Sequence, residues 1–82
     1  MVDIKFDGHF QRIISKIKDQ EMQKSIKNKV KKIIENPEIG KPMMNVRKGT
    51  REVYVGPFRL SYAYYKEKDL IEFLDFYHKD NQ

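Results

Sequence analysis

Arg59 lies inside an alternating run, Phe58 to Tyr65 (FRLSYAYY), and is the residue best placed to do chemistry. A period of two sends Phe58, Leu60, Tyr62 and Tyr64 to one face of a strand and Arg59, Ser61, Ala63 and Tyr65 to the other. An arginine on a rigid strand beside small residues leaves room for an anion. Its planar fork donates in pairs to a phosphate or a developing oxyanion. Further positive charge is expected from Arg51 in the preceding run, from Arg47 and Lys48 in the loop that feeds it, and from Lys79 after the last run. His78, beside Lys79, has the ordinary pKa of a general acid or base near neutral pH. Tyr54, Tyr65 and Tyr77 can stack on unpaired bases, although tyrosine is also an ordinary strand former. There is no HExxH motif, carboxylate cluster or glycine-rich phosphate loop, so neither a metal site nor a bound cofactor is expected.

These residues need a sheet to hold them. Val53 and Val55 alternate with Glu52 and Tyr54 before Gly56-Pro57 breaks the run, and Leu70 to Tyr77 follow a turn over Lys66 to Asp69. Three such runs with short links predict an antiparallel meander. Val2 to Phe6 reads as a first strand at or near a sheet edge. Asp7 can cap a helix starting at Gly8 or His9, whose stripe is Phe6, Phe10, Ile13, Ile14 and Ile17. Asp19 can cap a second helix with Met22, Ile26, Val30, Ile33 and Ile34 on one face, and Asn36-Pro37 stops it. Lys24, Lys27, Lys29, Lys31 and Lys32 crowd the rest of that helix, a solvated face or a track for a phosphate backbone. Residues 37–50 read as a loop in which Met43, Met44 and Val46 pin the chain to the sheet or form a brief strand. The two stripes can cover only one side of the meander, with Phe58, Leu60, Tyr62 and Tyr64 beneath them and Arg59 on the bare side.

The 82 residues make one small domain, 1–82, with a thin core. Seventeen Lys and Arg against twelve Asp and Glu give a net charge of +5, which favours an anionic partner. Without cysteine, no disulfide or thiolate site holds the fold. No apolar run approaches the roughly 18 residues of a membrane span, and a cytoplasmic protein is expected.

The order of elements, the segment ENPEIGKPM, the run GPFRLSYAY and the closing FLDFYHKD together resemble the RelE/ParE superfamily of toxins from toxin–antitoxin modules. The resemblance implies an α+β, two-layer fold, β-α-α-β-β-β, with an N-terminal strand and helix hairpin packed on one face of a curved antiparallel sheet. It implies a metal-independent endoribonuclease that cuts mRNA on the ribosome through attack of the 2′-hydroxyl on the adjacent phosphate. A RelB-like antitoxin is the implied partner. Arg59 matches the family's phosphate-contacting arginine, Lys79 a cation after the last strand, and His78 a position often histidine or lysine. Two strand lysines of strong RelE-type enzymes fall at Glu52 and Tyr54, and Glu52 is then a candidate general base. The superfamily also implies two alternatives: a ParE-like poison of DNA gyrase without nuclease activity, and a non-catalytic protein that binds an antitoxin.

Overall fold

The computed structural model describes residues 2–43 and 49–81. Met44, Val46, Arg47 and Lys48 therefore lie outside the described residues. The elements run β1 (Asp3–Phe6), α1 (Gly8–Ser15), α2 (Gln20–Glu35), β2 (Lys41–Pro42), β3 (Thr50–Val55), β4 (Phe58–Tyr65) and β5 (Leu70–His78). Two 3-10 turns, Lys66–Lys68 and Lys79–Asn81, follow β4 and β5.

Both helices start where an aspartate can receive their first amides. Asp7 accepts from the His9 N–H and Asp19 from the Glu21 N–H, each at 3.0 Å. Asp19→Ala is expected to cost about 1 kcal/mol, and hence about 4–8 °C of melting temperature in a calorimetric scan. α1 ends at Ser15, so its stripe is shorter than the spacing through Ile17 predicts, although Ile17 still packs on the core.

The sheet order is β1-β5-β4-β3-β2. The meander β3-β4-β5 is antiparallel, as expected, and β1 takes an edge. That edge strand runs parallel to β5, with Asp3 opposite Leu70 and Phe6 opposite Phe73, so the sheet is mixed rather than wholly antiparallel. Parallel neighbours cannot be joined by a tight hairpin, and here β1 and β5 are separated by the helices and the rest of the meander. A brief strand at Lys41–Pro42 pairs with Arg51 and Glu52; it precedes the residues expected to form one, of which Met43 is not in a strand and Met44 and Val46 lie outside the described residues. Between β3 and β4, Gly56 adopts a φ of +58°, a region that favours glycine, which lets a two-residue loop join Val55 to Phe58.

One irregularity decides which side chains share a face. Ser61 stands opposite Asp75 and Tyr62 opposite Phe73, so Leu74 is an extra residue bulged out of β5. The bulge switches the phase of alternation. Ile71, Phe73 and Phe76 all reach the buried side, together with Val55, Leu60 and Tyr62 of the neighbouring strands. Phe10 from α1 and Ile26 and Ile33 from α2 close this core from above. Phe58 and Tyr64 are only partly buried at its margin. No helix among the described residues is long and apolar enough to cross a membrane.

Candidate functional site

β3, β4 and β5 hold the site on the face away from the helices. Pairing sets Tyr54 opposite Arg59, Arg59 opposite Tyr77, and Glu52 opposite Ser61. The Arg59 guanidinium carbon sits 3.9 Å from the centre of the Tyr54 ring, a cation–π contact that fixes its plane. Among the described residues its only hydrogen bond is to the Phe58 carbonyl, at 3.1 Å, and it makes no ion pair. A guanidinium carries five N–H donors, so most of the fork is available to a ligand. Beside it the Tyr77 hydroxyl donates to the Glu52 carboxylate at 3.1 Å. Ser61 and Thr50, both small and buried, share the phase of this face. Farther along the same face, the Tyr65 hydroxyl donates to Glu72 at 3.2 Å, and Lys5 approaches Glu72 at 3.9 Å. Arg59, Glu52, Tyr54, Tyr65 and Tyr77 are thus brought to one face.

Two residues grouped with them from the sequence are elsewhere. Arg51 shares the phase of Val53 and Val55 and stands opposite Tyr62, so it belongs to the helix-covered side. There it donates to the carbonyls of Glu38 at 3.0 Å and Gly40 at 2.8 Å, clasping the segment after α2. His78 is turned to the same side by the bulge at Leu74. It stands opposite Phe58, meets that ring edge-on with centroids 5.2 Å apart, and accepts from the Asp80 N–H at 3.2 Å. Strict alternation from Ile71 would have turned His78 to the face of Arg59; the extra residue turns Tyr77 to that face instead, opposite Arg59. Lys79 opens the final 3-10 turn, exposed, with its amide bonded to the Pro57 carbonyl at 2.9 Å. Arg47 and Lys48 are outside the described residues. His9, alone in the sequence, bonds Asp75 at 3.1 Å across the start of α1. No group of three or more potential metal ligands occurs among the described residues.

The pairing of Glu52 with Tyr77 was not legible in advance, because it depends on the bulge. The stacking of Arg59 on Tyr54 was in principle predictable from the two-residue hairpin loop, which fixes them as partners.

A family model described as "ParE toxin of type II toxin-antitoxin system, parDE" matches residues 4–82. The chain belongs to the ParE toxin family. As a member of that family it carries the wider RelE/ParE fold. The chain of the intact Escherichia coli RelBE toxin–antitoxin complex superposes with a TM-score of 0.81 at 16% identity, covering 95% of this chain and 96% of that one. The isolated E. coli RelE toxin gives 0.80 at 16% identity, covering 95% and 84%. The RelBE2 complex of Mycobacterium tuberculosis gives 0.75 at 21%, covering 94% and 96%. At these identities the likeness is one of fold. No curated protein matches the sequence significantly. The ParE-family chain also has an apolar groove of about 690 Å³ between its helices and β1, lined by Phe6, Phe10, Ile14, Ile26, Val30 and Ile34.

Proposed function

We propose that this ParE-family toxin acts as a metal-independent endoribonuclease on mRNA engaged by the ribosome. One observation carries the reading: an arginine fork with most of its donors open and a hydrogen-bonded carboxylate lie on adjacent strands of one open sheet face. In this mechanism Glu52, oriented by the Tyr77 hydroxyl, takes the proton from a ribose 2′-hydroxyl. The 2′-oxygen attacks the adjacent phosphorus, the P–O5′ bond breaks and the 5′-oxygen takes a proton from solvent, giving a cyclic phosphate and a 5′-hydroxyl. Arg59 binds the non-bridging oxygens and neutralises the charge that builds on them, an electrostatic role that stacking on Tyr54 pre-organises. Lys79 adds positive charge at the end of β5, and Tyr65 offers a ring to a neighbouring base. Arg51 and His78 take no part, since both face the helix layer.

The test separates binding from chemistry. Glu52→Gln keeps the shape and the Tyr77 partner but cannot accept a proton, and is expected to slow mRNA cleavage roughly 10²–10⁴-fold. Cleavage on programmed ribosomes at the parent rate by this variant would remove Glu52 from the mechanism.

A cognate antitoxin belongs to this reading, supported by the RelBE complexes of E. coli and M. tuberculosis among the similar structures. The apolar groove along the helices fits the apolar face of an amphipathic helix from such a partner. A second reading, gyrase poisoning without nuclease activity, is favoured by the family model itself and by the absence of lysine from β3 and β4. Double-strand breaks in DNA with intact mRNA during expression are its expected signature.

A further inference from the structure

The charge of the open sheet face raises a question of affinity. Glu52, Glu72 and Asp75 share the phase of Arg59 there, and so do Lys5, opposite Glu72, and Lys41, opposite Glu52, so acids offset the cations of this face. A polyanion held against it gains from further cations at the rim of the face. They lie around the edge of β3. β2 pairs with β3 only at Arg51 and Glu52, and beyond it a cleft of about 300 Å³ opens between β3 and α2. Lys29 and Lys32 of α2 and Lys41 of β2 line it, over an apolar floor that includes Ile33 and Val53. None of the three lysines is in an ion pair among the described residues, whereas Lys5 and Lys66 are. Glu52 and Tyr54 line the same cleft, and both also belong to the site around Arg59.

We propose that this cleft is a phosphate-binding subsite for single-stranded RNA whose chain continues past Arg59 around the edge of β3. The inference rests on the nuclease reading and extends it by naming where the flanking nucleotides are held. Three unpaired ammonium groups in a concave wall suit successive phosphates, which need charge rather than a planar fork. Tyr54, half exposed, stands between cleft and arginine with ring surface on which a base can stack. That ring, and the continuity with Arg59, favour a nucleic acid strand over an acidic polypeptide.

The test uses a fluorescent single-stranded RNA oligonucleotide methylated at every 2′-oxygen, so that it binds without being cut, and anisotropy titrations between 50 and 200 mM salt. The triple variant Lys29→Gln, Lys32→Gln, Lys41→Gln is compared with the charge-matched control Arg12→Gln, Lys16→Gln, Lys18→Gln, circular dichroism confirming that both fold. Three lost phosphate contacts should flatten the log–log salt slope by about 2 and weaken binding about tenfold at 50 mM salt, with the control within about twofold of the parent. Four results would overturn the proposal: no binding by the parent, a cleft variant with the parent's slope, a control that loses as much, or competition by an acidic peptide as strong as by unlabelled RNA. Because the probe cannot be cleaved, the two readings fail separately. Lysine-dependent binding without mRNA cleavage sinks only the nuclease, and cleavage with lysine-independent binding sinks only the cleft.

Discussion

Arg59→Ala is expected to abolish growth inhibition on induced expression and to cut mRNA cleavage roughly 10²–10³-fold, the usual consequence of removing a donor aimed at developing charge. The fold should survive the change, because Arg59 bonds only a neighbouring carbonyl and stacks on one exposed ring. Loss of that stack costs about 0.5–1 kcal/mol at an exposed site. Arg59→Lys sharpens the experiment. A lysine keeps the charge but loses both the fork and the flat face, so recovery should be small. Parent-like toxicity in Arg59→Ala, with unchanged antitoxin binding, would move the active surface off the sheet.

The second large effect is on stability, at Gly40. The Tyr62 hydroxyl is fully buried. It accepts from the Gly40 N–H at 2.8 Å and donates to the Pro37 carbonyl at 2.8 Å, while Arg51 caps the carbonyls of Glu38 and Gly40. A Cβ at Gly40 would lie 2.6 Å from the Tyr62 oxygen and 3.0 Å from the Arg51 Cβ. Gly40→Ala therefore forces one of them to move and is expected to cost about 1–3 kcal/mol, measured by urea unfolding. Tyr62→Phe leaves the Gly40 amide unsatisfied in the core and should cost a similar amount, about 1–3 kcal/mol. The double variant should cost less than the sum, since removing the oxygen at 2.6 Å leaves only the ring carbon Cε1, at 2.8 Å, in the way of the new methyl. Additive costs would mean that the two sites do not touch.

Tyr62 also gives the fold an alkaline limit. Burial, the largest cause, raises its pKa, partly offset by the Gly40 amide and the Arg51 charge. A raised pKa means that the folded state keeps a proton the unfolded chain has already released. The stability that represents is complete below the unfolded pKa of about 10 and is lost as pH rises through the higher folded value. Tyr62→Phe should remove that limb of the pH–stability curve.

Much of this architecture can be read from residue types. The aspartate caps, the stripe of α2, the stop at Asn36-Pro37 and the strand β4 all follow from local chemistry and reappear in the structure, and α1 keeps a shortened stripe. So does the placement of Arg59 opposite the helices. The inward turn of Arg51 was also present in the sequence, since it shares the phase of Val53 and Val55; the attraction of grouping cations obscured it. Two other features are not local. The parallel pairing of β1 is with β5, at the far end of the chain. The bulge at Leu74 depends on fitting Phe73 and Phe76 into one core, and it turns Tyr77 rather than His78 to the face of Arg59. A one-residue insertion inverts a strand's faces, so a site assembled by strict alternation fails just beyond it.

The chemistry is tested most directly by the ends of the RNA. Purified protein is added to ribosomes stalled on a defined mRNA, without added divalent cations beyond those the ribosome needs, and the fragments are mapped and their termini analysed. The expected result is a cut within the codon in the decoding site, with a 2′,3′-cyclic phosphate on the upstream fragment and a 5′-hydroxyl on the downstream one. Intact mRNA under conditions where the protein still arrests growth, or fragments ending in a plain 3′-hydroxyl, would contradict a mechanism in which Glu52 and Arg59 activate the ribose for attack.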